Sequence, residues 1–583
     1  MLGQGKDQRG LFEADHLYLD MVGRETFYGF LASQRGRLFR DEEFAALYVL
    51  DNGRPSVPPS LLATALLLQA HDGVSDAEAK GRADFDLRWK VALGVAVEER
   101  PFAKSTLQLF RAQLILHEKL QAIFLRSLEF ARQNGFGRGG KVRVVLDTTY
   151  IFGRGAVKDT YNLLGDGITR VVRVLADSAG VRPQEWAKEH QLARYFASSV
   201  KGEAGVDWDS ATAREQFLRA IVADADRVLD MVRQRLAEEA QAEAGGDGGL
   251  AEAASLLGQL LLQDIERREE GAALRQGVAR DRIVSVQDPE MRHGRKSAAK
   301  LFDGYKAAVA VDGDSGIIMA TTVLAGNAPD NEGALALVEA AESNAQVQVE
   351  ETVGDCAYGD GQTRQEFADV GRRLVAKVPA PGESDWFGKE AFAIDVASQS
   401  CTCPAGELTT KLVLVGRSTD RKGKRHKQQS FEFDTAVCHA CALRGQCLRG
   451  KSGRRVRLHR QEKLLQQARA LQHSEEFAPY RILRQAGEHR LARLTQLGVR
   501  QARYFGRAKT WVQVLLAATV ANLTLIAGRM GLMKGRQGSK HAAVSCPRAL
   551  IRLLLTNLAT VLDHCLRLVH LSYPRTVAFR PHF

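Results

Sequence analysis

The stretch 141–150, which reads KVRVVLDTTY, restricts the fold of this 583-residue chain more than any other stretch. Its apolar, β-branched run 142–146 predicts a short strand that is buried on both faces. Asp147 stands where this run stops. A rigid strand would hold its carboxylate at the edge of solvent, which suits a catalytic metal ligand. The alternative is an Asp that simply starts a turn.

Strand-like segments return after a long interruption. Between residues 281 and 380 the sequence predicts a strand, a β-hairpin, a helix, a strand, a helix and a last strand. The fold class is therefore α/β, a mixed sheet flanked by helices, and Asp355 follows one of its strands as Asp147 follows the first. The predicted bounds are 282–286, 305–312, 316–324, 331–345, 347–353, 362–370 and 373–378.

The other segments predict helices around this core. Residues 1–137 form a helical N-terminal domain that either binds DNA or serves packing and dimerisation. A helical insert, 159–280, contains a coiled-coil-like seam at 218–236 and a second Leu-rich helix at 251–267, which would run antiparallel. The remaining units are core segments at 138–158 and 281–380, a basic, cysteine-bearing insert at 381–470, core helices at 471–530, and a basic tail at 531–583 with an apolar helix at 549–562.

Composition indicates where the chain acts and on what. The N-terminus lacks the apolar segment of a signal peptide. The most apolar stretch, 511–526, is interrupted by polar residues and too short for a membrane span, so it predicts a core helix. We therefore expect a cytoplasmic, nucleoid-associated protein with no membrane partner. The net charge of +12 favours a polyanionic partner, most often nucleic acid, over a merely basic surface.

A third acid, Glu488, lies on a helix predicted at 477–497. An acid among so many cations is commonly a salt-bridge partner. The arrangement also suits a site that binds metal and phosphate together, because paired Mg²⁺ ions need carboxylates and DNA phosphates need cations. The basic residues nearest to it in the sequence are Arg484, His489, Arg490 and Arg493.

In their order along the chain, the three acids resemble those of a known family. Asp147 in LDTTYIFGRGAVKDTYNLL, Asp355 in GDCAYGDG and Glu488 in YRILRQAGEHRLARL resemble the acids of bacterial insertion-sequence transposases of the DDE type. The helical N-terminal region, with LRWKVALGV and FAKSTLQLFR, is similar to that of the insertion sequence 1182 branch. The resemblance covers about 35–530 and implies a ribonuclease-H-like catalytic core.

The resemblance implies that Asp147, Asp355 and Glu488 are the catalytic residues and hold two Mg²⁺ or Mn²⁺ ions. Tyr358, three residues after Asp355, also fits the family pattern. A transposase of this kind cleaves transposon ends and transfers the 3′-hydroxyl strand into target DNA. Its implied partners are double-stranded DNA, both terminal inverted repeats and target, and further copies of itself in a homodimer or larger assembly.

A related signature places a tyrosine and an arginine before the glutamate and a lysine after it. Arg484 has the expected spacing to Glu488, whereas Tyr480 is one residue too distant and Thr495 stands at the lysine position. The candidates to replace that lysine as a DNA phosphate contact are Arg490, Arg493 and Lys509.

A second constellation lies between the last strand and the Glu488 helix, where five of the eight cysteines crowd. A Cys-x-x-Cys pair with two flanking cysteines predicts a four-thiolate zinc knuckle, and free reduced thiols are the alternative. The basic runs 421–427 and 451–460 beside it are either solvated or contact DNA. The preferred zinc ligands are Cys403, Cys438, Cys441 and Cys447, which leaves Cys401 over.

Two other functions share these features. A ribonuclease-H-fold nuclease would cut nucleic acid without joining strands, and a decayed transposase would bind DNA without cutting it. A strand-transfer assay separates the nuclease from an active transposase, and a Mg²⁺-dependent cleavage assay separates the decayed protein.

Overall fold

The computed structural model describes residues 1–5, 13–48, 53–117, 119–136, 140–241, 248–297, 299–379, 386–419 and 425–533. The basic tail predicted at 531–583 lies outside these residues except for its first three, and so does its apolar helix at 549–562.

The N-terminal region is helical, as the sequence predicts. Ser75 and Glu78 form a reciprocal capping box at the start of one of its helices, which satisfies backbone N–H groups there. The apolar side chains of this region share one continuous hydrophobic core with the central sheet. The helices are α1 (Ala14–Val22), α2 (Phe27–Leu38), α3 (Pro59–Asp72), α4 (Asp76–Phe85), α5 (Leu87–Leu93), α6 (Lys104–Leu116) and α7 (Leu120–Gln133), with a 3-10 helix at Asp41–Leu47.

The first strand, β1 (Lys141–Phe152), is longer than predicted. The prediction that it ends at Asp147 is wrong, because Asp147 lies inside the strand. The five residues after it are β-branched or aromatic and favour extended backbone. They pair antiparallel with residues 304–308, which continues the ladder to Phe152.

The helical insert follows β1 and has a hydrophobic core of its own. Both predicted long helices are present, but the second ends early and a short hairpin takes its last residues. The elements are α8 (Thr160–Ser178), α9 (Pro183–Glu189), α10 (Ala211–Gln241), α11 (Gly248–Asp264), β2 (Ile265–Arg268) and β3 (Gly271–Leu274), with a 3-10 helix at Ala193–Phe196.

The sheet then continues with β4 (Arg292–Arg295), β5 (Leu301–Asp312), β6 (Ile318–Ala325), α12 (Ala334–Ala345), β7 (Gln348–Val353), α13 (Gly361–Asp369) and β8 (Arg373–Val375). Its strand order is β6–β5–β1–β7–β8, and β4 pairs with the start of β5. Strands β6, β5 and β1 are antiparallel neighbours, whereas β1, β7 and β8 are parallel. This mixed sheet with its flanking helices is compatible with a ribonuclease-H-like fold.

The strand predicted at 282–286 is wrong. Its apolar side chains Ile283, Val284 and Val286 are buried, so the burial signal was real. The backbone, however, bonds to a side chain instead of a neighbouring strand, since Ile283 N–H donates to the Gln263 amide oxygen at 2.8 Å.

The cysteine-bearing insert comes next, built from short strands around a small core of five buried side chains, Phe392, Cys401, Phe431, Phe433 and Val456. Its elements are β9 (Ala393–Asp395), β10 (Ser400–Thr402), β11 (Leu408–Thr409), β12 (Leu412–Thr419), β13 (Arg425–Glu432), α14 (Thr435–Ala440), α15 (Arg444–Cys447) and β14 (Arg455–Arg457), preceded by a 3-10 helix at Lys389–Ala391. Four helices and a 3-10 helix at Glu475–Phe477 complete the described chain: α16 (Glu462–His473), α17 (Ala478–Leu483), α18 (Gln485–Gln496) and α19 (Arg507–Arg529).

Helix α19 is the core helix that the sequence predicts. Within the described residues it is the one helix long and apolar enough to cross a membrane, yet 78% of its most apolar window is buried inside the protein. Two of its polar side chains fasten it to β6. The amide of Asn522 accepts from Ile318 N–H at 2.9 Å and donates to Ile318 C=O at 2.8 Å, and the Trp511 indole donates to Thr321 C=O.

Replacing Asn522 by Ala should therefore destabilise the protein. The substitution strands a buried N–H and C=O of β6, which costs on the order of 1–3 kcal/mol. We expect a lower urea midpoint of unfolding, followed by tryptophan fluorescence. Thr524→Ala is the matched control, because the Thr524 hydroxyl only donates within its own helix. An equal midpoint for both variants would contradict this role of Asn522.

Candidate active site

The parallel pairing of β1 with β7 sets the first two acids side by side. The last paired residues are Val145 on β1 and Val353 on β7. Asp147 and Asp355 each follow two residues later, so they leave the same end of the ladder at equivalent positions. Asp355 turns out of its strand and accepts a hydrogen bond from Ala357 N–H at 2.9 Å, which fixes its carboxylate.

Helix α18 carries the third acid, and a glycine lies where this helix packs against β1. A Cβ at Gly487 would lie 3.0 Å from Cγ1 of Val145 and 3.3 Å from Cβ of Asp147, closer than most side-chain contacts, so glycine lets the helix lie against β1 without a shift of these neighbours. The next residue is Glu488. Its carboxylate lies 3.4 Å from the Arg484 guanidinium, and its side chain is 58% exposed.

The three acids border one cavity of about 380 Å³. Three basic side chains and three threonines line the same cavity. The polar residues that line the cavity are Asp147, Asp355, Glu488, Lys296, Arg484, Arg500, Thr148, Thr149 and Thr495.

The surroundings of Asp147 disfavour the ionised form of its carboxyl. Burial, and after it the neighbouring Asp355, raise the pKa of its carboxyl to about 6. The Thr148 N–H, which donates to Asp147 at 2.8 Å, and the charges of Lys296 and Arg484 act in the opposite direction. An ionised Asp147 is thus costly unless more positive charge enters the cavity.

The carboxylate and hydroxyl oxygens that line the cavity are the donor type that a hard divalent cation prefers. Tyr358 adds a second observation: its buried hydroxyl has no hydrogen-bond partner among the described residues, and burial first, then the charges of Asp147, Asp330 and Asp355, raise the pKa of its phenol. In the part of the chain that the structure describes, no three His, Cys, Asp or Glu side chains form a group that could hold a metal ion. The three acids therefore border the cavity but are not close enough together to form a ligand set, and the Glu488 carboxylate contacts Arg484 instead.

The other basic and phenolic candidates from the sequence lie elsewhere, and only Arg484 reaches the cavity. Tyr480 donates to the Glu351 carboxylate on β7 at 2.9 Å. Lys509 is exposed near the start of α19. Helical spacing of about 100° per residue rotates Arg490 and Arg493 by about 200° and 140° from Glu488, so neither shares its face. As DNA contacts these four residues stay predictions.

Sequence reasoning missed two cations of the cavity, Lys296 and Arg500. Lys296 follows β4, and Arg500 follows α18, where Gly498 with a φ of +84° turns the chain back towards β1. No local pattern marks either residue. The spacing of Thr495, seven residues after Glu488, does predict that it shares the glutamate's face, and the structure places it there.

The cysteine-bearing insert brings four thiols together. Cys403, Cys438, Cys441 and Cys447 line one apolar cavity of about 30 Å³, and the Arg454 N–H donates to Sγ of Cys438 at 3.4 Å. Cys401 is buried apart on β10, where burial raises the pKa of its thiol to about 11. All of these thiols are free.

Two stretches of the chain match known family models. Residues 402–527 match the model of a transposase DDE domain, and residues 26–113 match that of a transposase domain designated DUF772. Both matches are to transposases. They support an insertion-sequence transposase of the DDE type, a DNA partner and a nucleic-acid-cleaving activity that uses divalent metal. No curated protein matches the chain. The first match contains Glu488, while Asp147 and Asp355 lie between the two matches.

Asp147→Asn should stabilise the metal-free protein at neutral pH. A carboxyl whose pKa is raised on folding binds its proton more tightly in the folded state than in the unfolded state. The loss of that proton therefore destabilises the folded protein. This destabilisation is complete above about pH 6 and decreases as the pH falls towards the unfolded-state pKa. Removing the charge should add on the order of 1–2 kcal/mol at pH 7.5. Thermal melts at pH 7.5 and pH 5 in EDTA check this, and a gain that is larger at pH 5 would contradict it.

Proposed function

We propose that this protein is a transposase of the insertion sequence 1182 branch that cleaves transposon ends and transfers the free 3′-hydroxyl strand into target DNA. The observation that carries the proposal is the convergence of Asp147, Asp355 and Glu488, separated by hundreds of residues, on one cavity that cations also line. The two transposase matches and the net charge of +12 support it.

In this proposal Asp147, Asp355 and Glu488 hold two Mg²⁺ or Mn²⁺ ions. Bound there, such ions would supply the activation of a water or 3′-hydroxyl nucleophile and the stabilisation of the leaving oxygen that an in-line displacement at phosphorus needs. The surrounding structure determines how far each acid has to move to bind the ions. Asp147 is held by the paired strand β1, and Asp355 is held by the hydrogen bond from Ala357 N–H, so the ligand geometry needs little reorganisation at this side of the cavity.

Glu488 has to turn towards the two aspartates. Its present contact with Arg484 is an exposed pair one helical turn apart, and such pairs contribute only about 0.3–0.5 kcal/mol. The carboxylate can therefore leave Arg484 at little cost. The freed guanidinium then faces the cavity, where it can contact a DNA phosphate, as its position in the signature implies.

The partners in the proposal are the terminal inverted repeats, the target DNA and a second copy of this chain, because two ends must be joined to one target. The site of action is the nucleoid in the cytoplasm. A nuclease without strand transfer would use the same acids, so the joining step is what identifies a transposase.

Neutral substitutions at the three acids test the proposal. Asp147→Asn, Asp355→Asn and Glu488→Gln should each abolish Mg²⁺-dependent cleavage of DNA that carries the inverted repeats flanking the gene, since each removes a metal ligand. Binding of that DNA, measured by gel shift in EDTA, should change by no more than about twofold, because the phosphate-contacting cations remain.

Asp369→Asn is the matched control, an exposed acid at the end of α13 that should leave cleavage unchanged. Wild-type protein should also join the cleaved 3′ end to a target plasmid. Full cleavage by one of the three variants removes that residue from the site, and cleavage without joined product indicates the nuclease.

We further propose that Cys403, Cys438, Cys441 and Cys447 bind a structural Zn²⁺. Among the described residues of the insert, five apolar side chains form its fully buried core, which is little for a unit spanning about 70 residues, and small folds of this kind are commonly stabilised by a metal. The backbone N–H at Cys438 Sγ is the type of bond that supports a thiolate ligand. The four sulfurs surround their cavity without a closed ligand set, so binding would draw them inward.

Metal analysis of the purified full-length protein checks this proposal. We expect about one Zn²⁺ per chain, released when the thiols are blocked with a mercurial. Cys438→Ser should lose the zinc, and Cys356→Ser, at an exposed cysteine outside the insert, should retain it. Zinc-free wild-type protein, or zinc retained by the Cys438 variant, would refute the assignment.

A further inference from the structure

Arg500 is held in one orientation at the wall of the active-site cavity. Its Nη1 donates to Oγ1 of Thr149 at 3.0 Å and to the Tyr150 carbonyl at 3.1 Å, and its Nη2 donates to Oγ1 of Thr495 at 3.3 Å. The guanidinium carbon lies 3.9 Å from the centroid of the Tyr150 ring. Three polar contacts and a stacked ring leave the guanidinium little freedom.

None of these partners is an acid. Within the described residues Arg500 forms no ion pair, although it is only partly exposed and borders the same cavity as three carboxylates. A guanidinium has five N–H groups, and the three bonds above leave two of them for an incoming ligand. Two adjacent N–H groups and an uncompensated charge are what a phosphate binds bidentately.

Lys296 supplies a second uncommitted charge. It is exposed, borders the cavity and has no ion pair within the described chain. The Lys300 side chain is the main cause that lowers the pKa of the Tyr150 phenol, and the charges of Arg500 and Lys296 act in the same direction, so the Lys296 charge reaches the ring beneath Arg500. Metal ions would compensate the acids, which leaves these two cations for the DNA.

The Arg500 side chain is not needed to attach its loop to the sheet. Phe152 N–H donates to Arg500 C=O at 2.9 Å, and Ala502 N–H donates to Phe152 C=O at 2.8 Å. These backbone bonds already pair the loop with β1. A purely structural role for the guanidinium is therefore redundant, and its removal should leave the fold intact.

We propose that Arg500, assisted by Lys296, binds a backbone phosphate of the DNA strand in the cavity and takes over the task of the lysine that the family signature places at position 495. Thr495 orients Arg500 through its hydroxyl. The inference rests on the proposed function and adds a phosphate-binding residue to it, one that follows α18 in the sequence and lies outside the helix that carries Glu488.

A rescue experiment in the full-length protein tests this assignment. Arg500→Ala should slow end cleavage by about 100-fold or more, the usual cost of losing one preorganised donor. Arg500→Lys should be intermediate, because an ammonium cannot bind bidentately. The double variant Arg500→Ala, Thr495→Lys should recover at least about tenfold over Arg500→Ala. Arg233→Ala, the loss of an equal charge on α10, is the control and should cleave normally.

Neutral methylphosphonate links, placed one at a time along the cleaved strand, give a readout that a structural role would not change. Wild-type protein should lose cleavage at one position near the scissile bond, and Arg500→Ala should lose nothing further there. Arg500→Ala cleaving at the wild-type rate, or the same methylphosphonate profile in both proteins, overturns the proposal. Failure of the Thr495→Lys rescue refutes the replacement of the signature lysine.

These outcomes are separate from those of the acid substitutions. If Asp147→Asn cleaves normally, the proposed active site itself fails. If Asp147→Asn is inactive and Arg500→Ala is normal, the active site stands and only the phosphate assignment fails.

Discussion

The close contact between α18 and β1 is the constraint on which the candidate site depends. The absence of a side chain at position 487 lets the helix backbone lie against Val145 and Asp147 without displacing either residue. Glu488 follows directly, and its reach into the cavity is set by this approach. After α18, Gly498 with its positive φ returns the chain to β1, which brings Arg500 to the wall of the cavity that the acids border. Gly487 thus helps to position Glu488, and Gly498 helps to position Arg500.

The electrostatics of the cavity oppose stability and favour ligand binding. Asp147 is partly buried beside Asp355, and the raised pKa of its carboxyl measures what its ionisation costs the fold. Cations are nearby but mostly uncommitted, since Arg484 is the one that faces an acid through an exposed contact. In the proposed function, metal ions and a phosphate would complete the site together, because each would compensate the charge that the other leaves.

Two inserts interrupt the central α/β unit, and they differ in the size of their hydrophobic cores. The helical insert has a large core of leucine, valine and aromatic side chains. The cysteine-bearing insert has a much smaller one. It also contacts α16: Lys389 pairs with Glu462, a buried acid at the start of that helix, and the Gln466 amide donates to Ile394 C=O at 2.8 Å. A metal in the insert would therefore stiffen the segment that leads to Glu488.

The sequence by itself determined the strands and helices whose pattern is local. The runs at β5, β6 and β7, the apolar α19 and the position of Asp355 after its strand follow from periodicity and composition. It also determined the order of the three acids. It misjudged the end of β1, because pairing with β5 carries the strand past Asp147, and it misread 282–286, because burial alone does not make a strand.

Only the tertiary structure decided which cations meet these acids. Arg490 and Arg493 are close to Glu488 in sequence, yet helix geometry turns them to other faces. Lys296 and Arg500 reach the cavity through loops whose paths depend on backbone pairing far along the chain. Electrostatic contact is a matter of distance in space, and a one-dimensional sequence records that distance only within a helix or a strand.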